Sequence, residues 1–204
     1  MKKHLAGSIA ASVMATTLVF ATSALAALSS GAPAPNFTAQ ASLAGKDFTF
    51  SLKEALKKGP VVVYFYPSAY TGGCDIEAHT FATQKDKFDA AGATIIGVSE
   101  DSIQRLNTFS SDPNYCAGKF PVASDANGSI AKSYNLQTEG PQAGAKDVRG
   151  VAIDHGFIER TTFVIGRDGK IIATLSSEAD HLHPADHVNK SLAIVQQLQA
   201  GKAQ

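Results

Sequence analysis

The hydrophobic pattern is clearest in two uninterrupted apolar runs, at residues 61–66 and 94–98. Both consist mostly of β-branched and aromatic residues, without the polar alternation of a strand that faces water on one side. Such runs are typical of central strands that are buried on both faces, as in a parallel sheet. Pro67 ends the first run because proline has no amide hydrogen to donate to a neighbouring strand. The two runs therefore predict the centre of a β-sheet.

Helical and shorter strand patterns surround these runs. Ile76, Phe81 and Phe88 recur among charged residues at helical spacing, and His183-Pro184 places a proline at the first position of a last helix. Asp168-Gly169 is a hairpin-turn signal between two apolar segments. Helices are predicted at 51–58, at 75–90, from 101 or 102 onward, at 129–134 and at 184–200. Further strands are predicted at 47–51, 121–123, 161–165 and 170–174.

The order of these elements predicts the class of fold. Strands alternate with helices and are followed by a hairpin and a last helix, which indicates an α/β protein with a mixed sheet and helices on both faces. Residues 137–150 are polar and glycine-rich, and we interpret them as a mobile loop. No internal repeat or second domain is indicated.

The first 26 residues have the pattern of a secretory signal peptide. Lys2 and Lys3 precede an apolar stretch, and Ala24-Leu25-Ala26 fits the small-x-small sequence at which signal peptidase cleaves. A retained membrane anchor is the competing interpretation, but the serines and threonines of the stretch make it a poor spanning helix. We therefore expect residues 1–26 to be removed. Residues 27–204 would then form one domain, periplasmic or secreted and without a membrane segment.

Composition and charge exclude several classes of protein. The 204 residues carry 18 basic and 18 acidic side chains, and a chain without net charge lacks the positive surface expected of a nucleic-acid binder. Its two cysteines, Cys74 and Cys116, are too few for a disulfide-rich scaffold or a four-thiolate zinc site. Glycine-rich nucleotide-binding patterns find no support, and we expect no cofactor and no resident metal.

Cys74 lies where a buried strand and a short loop lead into a predicted helix. Free backbone amides and the positive end of the helix dipole stabilise a thiolate at such a position. Lowering a thiol pKa from about 8.5 to about 6 requires ~3.4 kcal/mol of differential stabilisation. Helix-end effects contribute ~0.3–1 kcal/mol, or up to ~2 when partly buried. A reactive Cys74 therefore requires another positive group nearby.

The residues around Cys74 resemble a known family. Pro67, Thr71 and Cys74 fit the Pro-x-x-x-Thr-x-x-Cys motif of peroxiredoxins, in the strand–loop–helix context in which that motif occurs. Gly97-Val98-Ser99-x-Asp101-Ser102 and Arg160-Thr161-Thr162-Phe163 are similar to later segments of the same family. The resemblance extends over nearly all of residues 31–200 and is strongest to the bacterioferritin-comigratory-protein (Q) branch. It implies a thioredoxin-like fold.

The resemblance also implies an activity and roles for single residues. Cys74 would be the peroxidatic cysteine, and Thr71 would hydrogen-bond its thiolate and the peroxide. Pro67 would shield the site from water, and Arg160 would supply the required positive charge. The implied protein is a thiol-dependent peroxidase that reduces hydrogen peroxide and organic hydroperoxides and is regenerated by a thioredoxin-like donor. We expect it to be a monomer or a weak homodimer.

Three residues depart from the family pattern. Gly72 follows Thr71 where a proline is frequent, and Asp75 replaces the usual threonine after the cysteine. His79 stands where many members of the branch carry a resolving cysteine. Residues 137–159 also match the family poorly. Glu77 matches a family glutamate, for which we expect a supporting role, and Arg149 is a weaker second cation.

Cys116 has three open interpretations. Some members of the branch place a resolving cysteine in this part of the chain, and Cys116 resembles that placement. It could instead form a static disulfide with Cys74, which would stabilise the fold by ~4 kcal/mol in the chain-entropy model. The third interpretation is two independent thiols, with an external thiol resolving Cys74. We favour the first.

Two other functions compete with the peroxidase. An exported thiol:disulfide oxidoreductase is disfavoured because the chain has no Cys-x-x-Cys motif. An exported metal-binding protein of thioredoxin-like fold would rest on the C-terminal histidines and aspartates alone. These are Asp180, His181, His183, Asp186 and His187. We interpret them as a solvated helix start.

Overall fold

The structure is a computed structural model that describes residues 26–201; the expected signal peptide lies almost entirely outside this range. The strands are β1 (Thr38–Leu43), β2 (Lys46–Ser51), β3 (Val61–Phe65), β4 (Thr94–Ser99), β5 (Val122–Ser124), β6 (Thr138–Glu139), β7 (Phe157–Ile158), β8 (Thr161–Ile165) and β9 (Ile171–Ser176). The helices are α1 (Leu52–Lys58), α2 (Gly72–Ala90), α3 (Ile103–Ser111), α4 (Ser129–Ser133) and α5 (Pro184–Ala200).

A seven-stranded mixed sheet forms the centre of the molecule, in the order β2-β1-β5-β4-β3-β8-β9. β3 lies parallel to β4 and antiparallel to β8, and every residue of β3 is buried, as its apolar run predicts. Alternate residues of β3 enter different clusters: Val62 and Tyr64 pack with α2, α3 and α5, whereas Val63 and Phe65 pack with α1 and α4. The predicted α/β fold, a mixed sheet with helices on both faces, is confirmed.

Helix α2 begins earlier than the sequence pattern indicates. The amide of Asp75 donates to the carbonyl of Thr71 at 2.9 Å, so Gly72 and Gly73 already belong to the first helical turn. Two glycines are weak helix formers, and the pattern therefore places the start at residue 75. As a consequence Cys74 lies inside the first turn, where backbone amides still lack an intrahelical acceptor.

Two further regions differ from the prediction. The sequence pattern does not predict β1, because its buried positions are the small residues Ala39, Ala41 and Ser42, which give little hydrophobic contrast. Residues 137–150 are not a simple loop: β6 pairs with β7, and the amide of Val148 donates to the carbonyl of Tyr70 at 2.9 Å. The second contact ties this segment to the loop before α2. Between residues 26 and 201, no helix is long and apolar enough to span a bilayer.

Candidate active site

Cys74 lies in helix α2 and Arg160 directly precedes strand β8, and the two side chains approach each other. β3 ends at Phe65, the loop 66–71 follows, and Cys74 lies in the first turn of α2. In the antiparallel register of β3 and β8, Phe65 lies opposite Thr161, which places Arg160 beside this loop. The Nη2 atom of Arg160 lies 3.2 Å from the Sγ atom of Cys74. The positive group that the charge arithmetic requires is therefore present.

Gly73 leaves the space that the Arg160 guanidinium occupies. A Cβ atom at Gly73 would lie 3.1 Å from Nη2 of Arg160 and 3.3 Å from Cγ of Pro184. Such contacts are tighter than ordinary van der Waals distances, so any side chain at Gly73 would push the guanidinium away from the thiol. The glycine lets the helix start lie against both Arg160 and α5.

Two polar groups of the loop, the Thr71 hydroxyl and the Ser68 backbone amide, also lower the pKa of Cys74. The Thr71 hydroxyl donates its hydrogen to the Ser68 carbonyl at 2.8 Å, which links the two groups. Ser68 was not among the residues singled out from the sequence, because an amide contribution leaves no side-chain signal. Pro67 is partly exposed at the start of this loop.

Burial outweighs these favourable contacts in the electrostatics of Cys74. Only 2% of the residue is exposed. Burial raises the pKa of the Cys74 thiol; Arg160, Thr71 and Ser68 oppose the rise without reversing it. In this structure, removal of water from the thiolate costs more than its polar contacts return, so the pKa is raised although the expected positive group is present.

Glu77 competes with Cys74 for the charge of Arg160. Its carboxylate pairs with Nη1 of Arg160, while its Oε1 atom is buried without a partner. Burial raises the pKa of Glu77 to about 7, against the opposing effect of Arg160. Glu77 therefore changes charge near neutral pH. When it is protonated, the guanidinium charge is left for the Cys74 sulfur.

Cys116 is also a buried free thiol, but its surroundings are acidic. It is 0% exposed and belongs to the same apolar cluster as Cys74. Burial raises the pKa of Cys116 well above its ordinary value, and the carboxylates of Asp112 and Asp75 raise it further. His79 connects α2 to this region, since its Nδ1 atom lies 3.0 Å from the carbonyl oxygen of Asn114. No disulfide joins the two cysteines in this structure.

Of the C-terminal histidines, His181 and His183 are exposed and His187 is buried. His187 is fully buried between the hydroxyls of Thr162 and Ser177, at 3.0 Å and 2.9 Å. Burial and the charge of Arg160 lower the pKa of His187 to about 4, so the ring is neutral at pH 7. His183 is the exposed N-cap of α5, and its amide donates to the Asp186 carboxylate at 3.0 Å, so the expected solvated helix start holds for His183 but not for His187. Within residues 26–201, no group of three potential ligands is arranged for a metal ion.

Arg149 does not act as a second cation at the thiol. Its guanidinium lies over the ring of Tyr70, 3.2 Å from the ring centroid, and its Nη2 atom lies 2.6 Å from Asp147. Arg149 thereby covers the outer side of the loop that carries Thr71. Its charge is taken up by Asp147, so Arg160 is the cation that contacts the sulfur.

Comparisons with known proteins agree with this site. Residues 30–174 match the AhpC/TSA family. A Mycobacterium tuberculosis protein named as a peroxiredoxin is 31% identical over 150 residues, which cover 74% of this chain and 86% of that protein. Peroxiredoxin Bcp of Xanthomonas campestris is 35% identical over 115 residues, covering 55% of this chain and 63% of the relative.

Solved structures show the same fold. The crystal structure of peroxidoxin BcpB from Mycobacterium tuberculosis superimposes with a TM-score of 0.68 at 28% identity, covering 83% of this chain and 97% of that chain. Peroxiredoxin Q of Xanthomonas campestris gives a TM-score of 0.60 at 27% identity, covering 78% and 90%.

A buried cysteine in the first turn of a helix, facing an arginine at the end of a thioredoxin-like sheet, defines a thiol peroxidase site. The chain belongs to the AhpC/TSA family, as a peroxiredoxin of the bacterioferritin-comigratory-protein (Q) branch. It is a peroxidase that acts on hydroperoxides.

Proposed function

We propose that the protein reduces hydroperoxides in a two-cysteine cycle that begins at Cys74. The Cys74 thiolate attacks one peroxide oxygen, the O–O bond breaks, and water or an alcohol leaves after protonation. Cys74 is thereby oxidised to a sulfenic acid and the peroxide is reduced. The observation that carries this proposal is the 3.2 Å contact between Nη2 of Arg160 and the Cys74 sulfur. The same cation would stabilise the negative charge that develops on the peroxide oxygens.

The second step of the proposed cycle joins Cys74 to Cys116. The Cys116 thiolate attacks the Cys74 sulfenic acid, an S–S bond forms and water leaves. Both thiols lie in one apolar cluster on the same face of the sheet, which supports an intramolecular bond. A dithiol of thioredoxin type would then reduce the disulfide with two electrons and restore both thiols.

The Cys116 segment has the features of a backbone that can rearrange. Ala117 and Gly118 both adopt a positive φ, of 53° and 67°. A non-glycine residue held at positive φ is strained, and unwinding relieves that strain. The burial of Cys116 makes such a rearrangement necessary, because the thiol must meet the oxidised sulfur to react.

One equivalent of hydrogen peroxide tests the cycle. Mass spectrometry of the wild type is expected to show one intramolecular Cys74–Cys116 disulfide. Cys116→Ser is expected to consume one equivalent and then stop as a sulfenic acid that overoxidises with excess peroxide. A stable Cys74 sulfenic acid in the wild type would favour an external resolving thiol, whereas an intersubunit bridge would contradict the intramolecular step. Turnover with a thioredoxin system and with a glutaredoxin system identifies the reductant.

We also propose export, on the basis of the sequence alone. Cleavage after Ala26 would leave Ala27 as the mature N-terminus, in a compartment that tolerates disulfides. N-terminal sequencing of the protein from a periplasmic or culture fraction tests the cleavage site. Recovery of the chain from the cytosol with Lys2 and Lys3 intact would refute it. The proposed monomer or weak homodimer is tested by sedimentation across a range of concentrations.

A further inference from the structure

A buried network of polar side chains holds the loop that carries the donors of the Cys74 sulfur. At its centre is Asp101, which is 0% exposed and immediately precedes the N-cap of α3. Its Oδ2 atom accepts the amide of Ala69 at 2.8 Å and the hydroxyl of Ser99 at 2.7 Å. Its Oδ1 atom accepts the hydroxyl of Ser68 at 3.1 Å. One carboxylate thus fixes two consecutive residues of the loop.

His155 approaches the same carboxylate from the segment between β6 and β7. Its Nε2 atom lies 2.9 Å from Oδ1 of Asp101 and its Nδ1 atom lies 2.7 Å from the carbonyl oxygen of Gly156. Both partners are acceptors, an arrangement that favours the imidazolium form with a hydrogen on each ring nitrogen, and the Ser68 hydroxyl lies 3.3 Å from Nε2. Burial alone would lower the pKa of His155, but the hydrogen bond and the charge of Asp101 raise it above its ordinary value.

Arg105 also holds the loop, through ion pairs at the start of α3 and in the segment between β6 and β7. Arg105 on α3 lies with Nε 2.8 Å from Asp101, and its Nη2 atom donates to the carbonyl of Ala69 at 2.9 Å. The same Nη2 atom reaches Asp147 at 2.9 Å, beside the Val148 amide that donates to Tyr70. Residues 68–70 are therefore fixed on the α3 side and on the 147–156 side.

The network ends at the reactive sulfur. The Ser68 amide lowers the pKa of Cys74, and the Ser68 carbonyl accepts the Thr71 hydroxyl at 2.8 Å, which fixes the Thr71 oxygen near the sulfur. Any movement of Ser68 shifts both polar groups relative to the thiolate. We propose that His155 and Asp101 are positioning residues for the peroxidatic cysteine, acting through Ser68 to hold its amide and the Thr71 side chain beside the Cys74 sulfur. The inference rests on the proposed function, since it assigns these residues to the peroxide step.

The test measures the thiol and the reaction separately. In a Cys116→Ser background, the pH dependence of iodoacetamide alkylation reports the pKa of Cys74, and stopped-flow mixing with hydrogen peroxide reports the first step. Asp101→Asn and His155→Phe are expected to raise the Cys74 pKa by about one unit, because an amide has one acceptor oxygen fewer for Ser68, Ala69 and Ser99, and an apolar ring has no donor for Asp101. The peroxide step is expected to slow about tenfold. His155→Gln keeps one donor to Asp101 and is expected to recover most of the rate.

Asp125→Asn is the matched control for loss of a buried carboxylate. Asp125 is 2% exposed and accepts the amides of Ile130 and Ala131 at 3.0 Å and 2.8 Å, away from the loop. It is expected to lower the stability without changing the Cys74 pKa or the peroxide rate. An equal loss of rate in Asp125→Asn, or a Cys74 pKa unchanged in both Asp101→Asn and His155→Phe, would overturn the proposal.

Two further arms keep the result decisive. If His155→Phe does not fold, Ser68→Ala replaces it, because this variant removes only the hydroxyl that Asp101 holds. A raised Cys74 pKa in Ser68→Ala supports the proposal. An unchanged Cys74 pKa refutes it. The alkylation arm is independent of peroxide chemistry. Suppose that the variants raise the Cys74 pKa but the wild type consumes no peroxide. That result would refute the proposed function while leaving the positioning of the sulfur intact.

Discussion

Cys74 and Cys116 are equally buried in one apolar cluster, yet their polar neighbours have opposite character. Cys74 faces the Arg160 guanidinium, the Thr71 hydroxyl and the Ser68 amide. Cys116 faces the carboxylates of Asp112 and Asp75. Burial raises both pKa values, so neighbouring charge is what separates the two thiols. The comparison indicates that the neighbours of Cys74 oppose the effect of burial on its pKa, whereas those of Cys116 add to it.

Asp75 is one of the acidic neighbours that raise the pKa of Cys116. It follows Cys74 directly, its Oδ1 atom is buried without a partner, and burial with the charges of Asp112 and Asp147 raises its pKa to about 6. At pH 7 most of the side chain is ionised, and its negative charge disfavours a Cys116 thiolate in the closed structure. The departure from the family pattern at this position therefore acts on the second cysteine.

The largest expected effect is the loss of the peroxide step in Cys74→Ser. A serine hydroxyl is a far weaker nucleophile than a thiolate, so we expect activity to fall roughly 10⁴-fold or more. Hydrogen peroxide consumption over a single turnover measures it, with circular dichroism to check the fold. The matched variant Cys116→Ser should retain the first turnover at the wild-type rate. Activity of Cys74→Ser within a few-fold of wild type would remove Cys74 from the mechanism.

The next effect is the loss of the cation in Arg160→Met. Without the guanidinium, the Cys74 pKa should rise and the peroxide step should slow about 10²-fold, in line with removal of one charge-stabilising donor. The formation of the disulfide from a preformed sulfenic acid should change little. Arg167→Met is the control, since Arg167 is exposed and donates to the carbonyl of Lys57, away from the thiol. Equal rates for the two variants would contradict the assignment.

The pH dependence of Cys74 alkylation in Glu77→Gln tests whether Glu77 weakens the effect of Arg160 on the thiol. Burial raises the pKa of Glu77 to about 7, so its negative charge appears as pH rises through neutrality and draws on the guanidinium. The variant lacks that charge, so its Cys74 pKa should be lower and its alkylation at pH 8 about threefold faster. The two proteins should converge below pH 6, where Glu77 is protonated in the wild type. A constant ratio from pH 5.5 to 8 would show that Glu77 does not titrate in this range.

The smallest expected effect concerns Cys116 alone. Asp112→Asn removes one of the carboxylates that raise the pKa of Cys116 but keeps an oxygen to accept the Asn114 amide, as Oδ1 of Asp112 does at 2.9 Å. Disulfide formation should become about two- to threefold faster. The peroxide step, followed separately by stopped-flow, should stay unchanged. A change confined to the peroxide step would mean that Asp112 acts on Cys74 instead.

Features that depend on neighbouring residues along the chain can be predicted from the sequence. The apolar run of β3, the proline that ends it, and the hairpin at Asp168-Gly169 all follow from local side-chain and backbone preferences. The motif formed by Pro67, Thr71 and Cys74 also indicates the family from sequence alone. These signals are local, so they could be recognised without knowing what packs against them.

The electrostatics of the site, by contrast, depend on tertiary packing. The full burial of Cys74, the pairing of Glu77 with Arg160 and the anchoring of Ser68 by Asp101 each join residues that are remote in sequence. His155 lies within residues 137–159, the segment that matches the family least. A pKa is the sum of desolvation and of charges brought together by packing, and neither can be read from a residue's sequence neighbours.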